Sequence, residues 1–359
     1  MNRDIFEDLF VLEVANSHWG SVERGLKIIT AFASVVRFNN VRAAMKLQFR
    51  DVDRFIHRDF RDRLDIRYIK KTLDTQMSAA DYGTLVEATR KAGCVTMASP
   101  FDEASVDLCQ ELGVQILKIA SSDLNDWVLI EKIATAKKPV VVSTGGSSLK
   151  DIDDLVTFFE HRNIPLAINH CVSLYPSENA DLQLNQIDFM IRRYPNHTIG
   201  FSSHEYRDWS ASITAAYAKG ARTFERHVDI DDGGIPVSPY CSLPGQIDSW
   251  FKAWQTAKEM CGPAGESWKI SSRKEIEYLD ALVRGVYAAR PIPAGHALQD
   301  DDVYLAIPLQ KGQISCRELM RGEVVMRDIP AHEAIGIEDI DSPYANNDDL
   351  KRVIMERGL

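Results

Sequence analysis

Eight short apolar runs, separated by longer capped or amphipathic stretches, leave this chain very few architectures. The runs cover residues 10–15, 43–48, 95–98, 114–119, 140–143, 166–170, 198–202 and 223–227. Helical signals fall between them: Ser78 and Asp81 open a stretch at 82–92, residues 102–112 stop at Gly113, and 148–161 follow the fifth run. Strands alternating with helices imply parallel pairing through crossover helices. Eight such units match an α/β chain closed into a (β/α)8 TIM barrel, for which about 250 residues is typical.

A second regularity favours the closed barrel over an open sheet. Polar residues recur at the C-terminal end of nearly every run: Glu13, Lys46 and Gln48, Ser99, Lys118 and Ser121, Ser143, Cys171 and Ser173, Ser202 and His204, His227. In a barrel these ends share one rim and converge on one pocket. In an open sheet they would be strung along an edge.

The texture changes after Gly262. The reading divides the 359 residues into a barrel at 1–265, a charged linker at 266–282, a small β-rich domain at 283–345 and a polar tail at 346–359 that turns weakly helical. The β pieces of the small domain are read at 285–289, 292–295, 303–307, 322–326 and 329–331. They leave little room for a second site.

Charge and composition exclude some functions. The net charge of −10 makes a poor nucleic-acid binder, because phosphate contact needs a surplus of Lys and Arg. No apolar run reaches the ~20 residues of a membrane helix, and the acidic first eight residues do not read as a secretory leader. Cys94, Cys109, Cys171, Cys241, Cys261 and Cys316 are scattered without metal-finger spacing. They are expected as free thiols in a reducing cytoplasm.

The rim residues suggest chemistry. His204 and His227 end neighbouring strands, which lie ~4.8 Å apart, so two imidazoles can share a divalent cation and leave positions open. Either one alone reads first as a hydrogen-bonded core or rim histidine; it is the pair on neighbouring strand ends that brings in the metal. Lys46 and Lys118 sit in apolar contexts, and a buried ammonium needs a carboxylate such as Glu13 or an anionic ligand. A Schiff-base lysine is a third reading. Ser99, Ser121, Ser122, Ser143, Thr144, Ser173 and Ser202 ring the same rim. The turn from Ser143 to Ser148 opens a helix whose amides favour an anion. Glu13 is a counter-ion or an acid/base group. Asn16 and His18 read as loop residues, and Asp102 as a helix cap.

These segments together resemble the sialic acid synthase family, including the spore-coat polysaccharide biosynthesis protein E group. The matching pieces include Glu13-Val14-Ala15-Asn16-Ser17-His18, Met45-Lys46-Leu47-Gln48, Leu117-Lys118-Ile119-Ala120-Ser121-Ser122-Asp123 and Val142-Ser143-Thr144-Gly145. They continue with His170-Cys171-Val172-Ser173-Leu174-Tyr175-Pro176, Gly200-Phe201-Ser202-Ser203-His204 and Glu225-Arg226-His227. From Arg284 to Ile337 the chain is similar to the family's antifreeze-like (SAF) domain. The resemblance implies condensation of phosphoenolpyruvate with an amino-sugar aldehyde to give a nonulosonic acid and phosphate, for surface polysaccharide. It implies a divalent metal, manganese, on His204 and His227. Lys46, Lys118, Ser99, Ser121, Ser143, Ser173 and Ser202 would hold phosphoenolpyruvate, and Glu13 would move protons. Gln48, Asp123 and Tyr175 would face the sugar. It also implies a homodimer in which each SAF domain caps the partner's barrel.

Departures fall on the sugar side. The family's Pro-Gly-Pro-Asp loop is here Gly233-Gly234-Ile235-Pro236-Val237-Ser238, without the Asp. The SAF Arg-Pro pair is Ile307-Pro308, and a usual Glu is Asp123. An acceptor other than N-acetylmannosamine is therefore expected. A pyruvate aldolase using Lys118, or a non-catalytic binding protein on the same barrel, are the other readings.

Overall fold

The computed structural model describes residues 5–263, 268–319 and 322–359. The chain divides into two compact units, Met1–Pro263 and Ala264–Leu359. The expected boundary at 265/266 and the first four residues lie outside the described residues.

In the larger unit eight parallel strands close into a barrel: β1 (Leu9–Ala15), β2 (Arg42–Phe49), β3 (Val95–Pro100), β4 (Ile116–Ile119), β5 (Val140–Ser143), β6 (Leu166–Cys171), β7 (Thr198–Ser203) and β8 (Thr223–His227). All eight expected strands form, in sequence order, and β1 closes the ring against β8. Only the ends differ. Val114 is not in β4 because its amide closes the preceding helix, bonding to the Cys109 carbonyl at 2.9 Å. That helix, Glu103–Glu111, starts on Asp102, whose carboxylate accepts from the Ser105 amide as expected of a cap.

The period-two alternation of a strand decides what fills the barrel. One set of side chains, including Phe10, Leu12, Met45, Leu47, Leu117, Val142 and Ile168, packs outward against the helices. The other set faces in. Its lower part is apolar: Leu9, Val11, Ala44, Met97, Ile116, Val141 and Ala167 form a separate buried cluster. Two residues further along the same strand faces stand Glu13, Lys46, Ser99, Lys118, Ser143 and Asn169. An apolar plug thus supports a polar layer at the C-terminal end.

Gly200 shows how tightly that layer is built. A Cβ there would lie 1.8 Å from Thr223 Oγ1 and 2.2 Å from Asn169 Oδ1. A glycine is needed on β7 for these two side chains to meet.

The smaller unit has two antiparallel pairs, Gly285–Ala288 with Val303–Ala306 and Val324–Val325 with Ile340–Asp341. Val286, Ile292, Ile314, Val325, Ile335 and Ile354 belong to its buried cluster. The pieces expected at 292–295 and 329–331 meet through a single bridge, Ile292 to Ile329, and form no strand. Their intervening prolines, Pro293 and Pro330, lack the amide a longer ladder needs. The charged stretch before this unit forms a helix at Arg273–Asp280, and another helix, Asp348–Glu356, follows near the C-terminus. Among the described residues no helix is long and apolar enough to cross a membrane.

Candidate active site

Every side chain at the centre of the site sits on an inward strand position or in the loop just after one. Register places Glu13 beside Lys46 on one side and His227 on the other. Ser202 lies beside Glu225. Glu225 and His227 are two residues apart on β8 and face the same way, whereas Arg226 between them pairs with buried Glu205 at 2.5 Å.

Four buried charges form the floor. Glu13, Lys46, Lys118 and Glu225 are 1%, 4%, 2% and 4% exposed. Lys46 pairs with both Glu13 and Glu225. Lys118 lies 3.7 Å from Glu225 and donates to Ser143 Oγ at 2.6 Å. The sequence alternatives for the lysines, carboxylate partner or anion ligand, therefore meet in one place: both are partnered, and both line a cavity of about 430 Å³. Burial raises the Glu225 carboxyl, but Lys118 and Lys46 outweigh it and hold the group below its ordinary pKa. Burial draws Lys46 down to about 8, against the pull of Glu225, so the ammonium persists at neutral pH.

The same cavity is lined by Gln48, Ser99, Ser121, Ser143, Ser173, Tyr175, Ser202, His204 and His227. Among the candidates only Asp123 lines a different space, an outer cavity of about 670 Å³ that shares Gln48, Ser122, Tyr175 and His227 with the inner one. Gly145 lets the hydroxyls crowd together: a Cβ there would lie 2.1 Å from Ser173 Oγ. The Gly145 amide donates to Ser121 Oγ at 3.0 Å. As expected, the turn from Ser143 to Ser148 leads into a helix, Leu149–Glu160, whose N-cap is exposed Ser148. A capping box with Asp151 partners the Ser148 and Asp151 amides.

The two imidazoles face each other, with ring centroids 5.4 Å apart. Nδ1 of His204 is 2.9 Å from the Val172 carbonyl, which fixes the proton there and leaves Nε2 as a free lone pair. Burial lowers His204 to about 4 and, with the His204 charge next, His227 well below its ordinary value. Both are neutral at pH 7, the form that binds a metal. Among the described residues no group of three or more His, Cys, Asp and Glu is placed to hold an ion. The donor set is thus two neutral imidazoles, which fits a divalent cation with open positions. Tyr175 packs at a tilt against His204, ring centroids 4.0 Å apart, and the Tyr240 ring meets His227 edge-on at 5.2 Å.

His18, read as a loop residue, is fully buried. Its Nδ1 accepts from the Gly20 amide at 3.1 Å, and burial lowers its pKa to about 4. This has a stability consequence. The folded pKa of His18 and of His204 lies below the unfolded value, so the unfolded chain takes up protons first. Stability is full above pH 6.5 and is lost as pH falls toward 4, by about 2 kcal/mol per histidine at pH 5. His170 and His227, also lowered by burial, shift stability the same way, so the thermal midpoint of the metal-free protein should drop by at least roughly 10 °C between pH 7 and pH 5. His18→Asn should remove only its own share of that drop, about 2 kcal/mol at pH 5; an unchanged drop would contradict the assignment.

Comparison with known proteins follows the same lines. Residues 30–262 match the NeuB family and residues 283–341 match the SAF domain. The chain is 28% identical to the spore coat polysaccharide biosynthesis protein SpsE of Bacillus subtilis, over 96% of this chain and 98% of that protein. It is 30% identical to the N-acetylneuraminate-9-phosphate synthase of Drosophila melanogaster, over 79% and 77%. A crystal structure of a spore coat polysaccharide biosynthesis protein E, assigned as putative, from Chromobacterium violaceum superposes with a TM-score of 0.88 at 36% identity, covering 94% of this chain and all of that one.

Proposed function

The chain belongs to the NeuB family, and from that premise we propose that it joins phosphoenolpyruvate to the aldehyde carbon of an amino sugar. The products are a nonulosonic acid and inorganic phosphate. The observation that carries the reading is the inner cavity. It gathers two ammonium groups, two carboxylates, a ring of hydroxyls and two neutral imidazoles within one small volume.

The chemistry follows from these groups. C3 of the enol forms a bond to the aldehyde carbon, and the aldehyde oxygen becomes a hydroxyl. Water then adds at C2, and departure of phosphate leaves the 2-keto acid. Phosphoenolpyruvate, aldehyde and water are consumed; keto acid and phosphate are produced. Lys118 and the serine hydroxyls orient the phosphate and carboxylate. Glu13, with Gln48 Nε2 3.4 Å from its Oε1, takes the proton of the attacking water. His204 and His227 hold a divalent cation, manganese by family resemblance, which when bound supplies a Lewis acid for the aldehyde oxygen. The charges of Lys46 and Lys118 are balanced by Glu13 and Glu225, so an incoming anion meets no surplus positive charge from these four side chains.

The acceptor differs from N-acetylmannosamine. The loop that would carry a sugar-contacting Asp presents Ser238 to the outer cavity instead. Asp229 lines that cavity too, but Arg24 engages it at 2.8 Å.

Donor choice tests the reaction class. With phosphoenolpyruvate and a panel of amino-sugar aldehydes, the enzyme should yield a keto acid and phosphate, and borohydride with pyruvate should trap nothing on Lys118. Trapped pyruvate on Lys118, with no use of phosphoenolpyruvate, would replace this reading by an aldolase.

A further inference from the structure

The outer cavity holds three cations that the reaction above does not use. Arg50 opens the loop leaving β2, and Arg67 and Lys71 lie on the helix Arg67–Asp74. All three line the cavity. Residues four apart on a helix share a face, so Arg67 and Lys71 enter together.

None of the three has an acid partner in an ion pair among the described residues, although the neighbouring bases do: Arg63 pairs with Asp65 and Lys70 with Asp74, both at 2.7 Å. Arg50 is packed flat against Phe101, 3.8 Å from the ring centre. It donates only to neutral oxygens, Gln48 Oε1 at 3.0 Å and Asn16 Oδ1 at 3.4 Å. Its Nε is buried without a partner. Burial lowers Lys71, and the like charges of Arg67 and Arg50 add to the effect. Of the acids in the cavity, Asp229 is engaged by Arg24, which leaves Asp123 facing three cations. Like charges gathered in a partly desolvated pocket repel, and the arrangement is relieved by an anion. In a chain of net charge −10 this local surplus is not a consequence of composition.

We propose that Arg50, Arg67 and Lys71 form a subsite for an anionic group carried by the acceptor sugar at the end remote from its aldehyde. The shared Gln48, Tyr175 and His227 place the two cavities side by side. An acceptor can therefore place its aldehyde beside the imidazoles and its anion beside the three cations. The subsite rests on the synthase reading for its role, but its binding can be measured apart from turnover.

The test uses matched sugars: N-acetylmannosamine, its 6-phosphate, and N-acetylmannosaminuronate. Calorimetric titration of the full chain, stripped of metal so that no turnover occurs, is run with phosphoenolpyruvate saturating, so that the inner cavity is closed to a second anion. At least one anionic sugar should bind tenfold or more tightly than the neutral one, and which of the two it is distinguishes phosphate from carboxylate. Arg67→Gln/Lys71→Gln should remove that advantage, with the rise in KM for the anionic sugar exceeding any fall in kcat. Both residues lie toward the surface, and an unchanged thermal midpoint will show that the double variant is folded. Equal binding of neutral and anionic sugars, or an advantage that survives in the double variant, would overturn the subsite. Tight, variant-sensitive binding without phosphate release from any sugar would keep the subsite and overturn the synthase reading.

Discussion

Glu225→Gln should destabilise the protein by about 3–5 kcal/mol, because it removes the one carboxylate shared by two buried ammonium groups. Lys46 pairs with Glu225 and Glu13, and Lys118 lies 3.7 Å from Glu225. Glutamine fills nearly the same volume, so the loss is electrostatic and not a cavity effect. Lys118 keeps the Ser143 hydroxyl and the Ile119 carbonyl, both neutral. The thermal midpoint should fall by roughly 10 °C. A double variant with Lys118→Met, which withdraws one of the stranded charges, should recover at least about 1 kcal/mol, a non-additivity expected of groups in one network. Strict additivity, or a loss below about 1 kcal/mol, would show that Glu225 is not the counter-ion of this layer.

Glu13→Gln should have the opposite profile. Lys46 retains Glu225, so the fold survives with a smaller stability loss than Glu225→Gln. Phosphate release should fall about 10²- to 10⁴-fold, the usual contribution of a positioned acid or base, while the affinity for phosphoenolpyruvate changes little. Calorimetry on the variant separates the two effects. Activity within tenfold of the parent protein would reduce Glu13 to a counter-ion of Lys46.

The contrast between these carboxylates also shows what the sequence could convey. The barrel was legible because apolar alternation is local, and eight repetitions of it allow one closed solution. Glu13, Lys46, Lys118 and the two histidines were legible because they interrupt apolar runs at strand ends. Glu225 was not, since a charged trio, Glu225-Arg226-His227, does not reveal which members face inward. The usable signal was its spacing of two from His227. Arg50 and Lys71 were hidden for another reason. Their approach to one cavity depends on how the segment after β2 folds over the barrel mouth, which no local pattern encodes. The Ser143–Ser148 turn was legible as the start of a helix because small residues and a serine cap precede the amphipathic stretch. His18 does lie in the loop after β1; its burial was not legible because it comes from packing of that loop, not from its own neighbours in sequence.

The most direct measurement is inorganic phosphate released from phosphoenolpyruvate, in the presence of an amino-sugar aldehyde, by protein stripped of metal and then titrated with Mn2+. Release should require the aldehyde, rise with added Mn2+, and be lost in His204→Ala and His227→Ala. Release that ignores both the aldehyde and the histidines, or none with any aldehyde at saturating Mn2+, would contradict a synthase built on this barrel mouth.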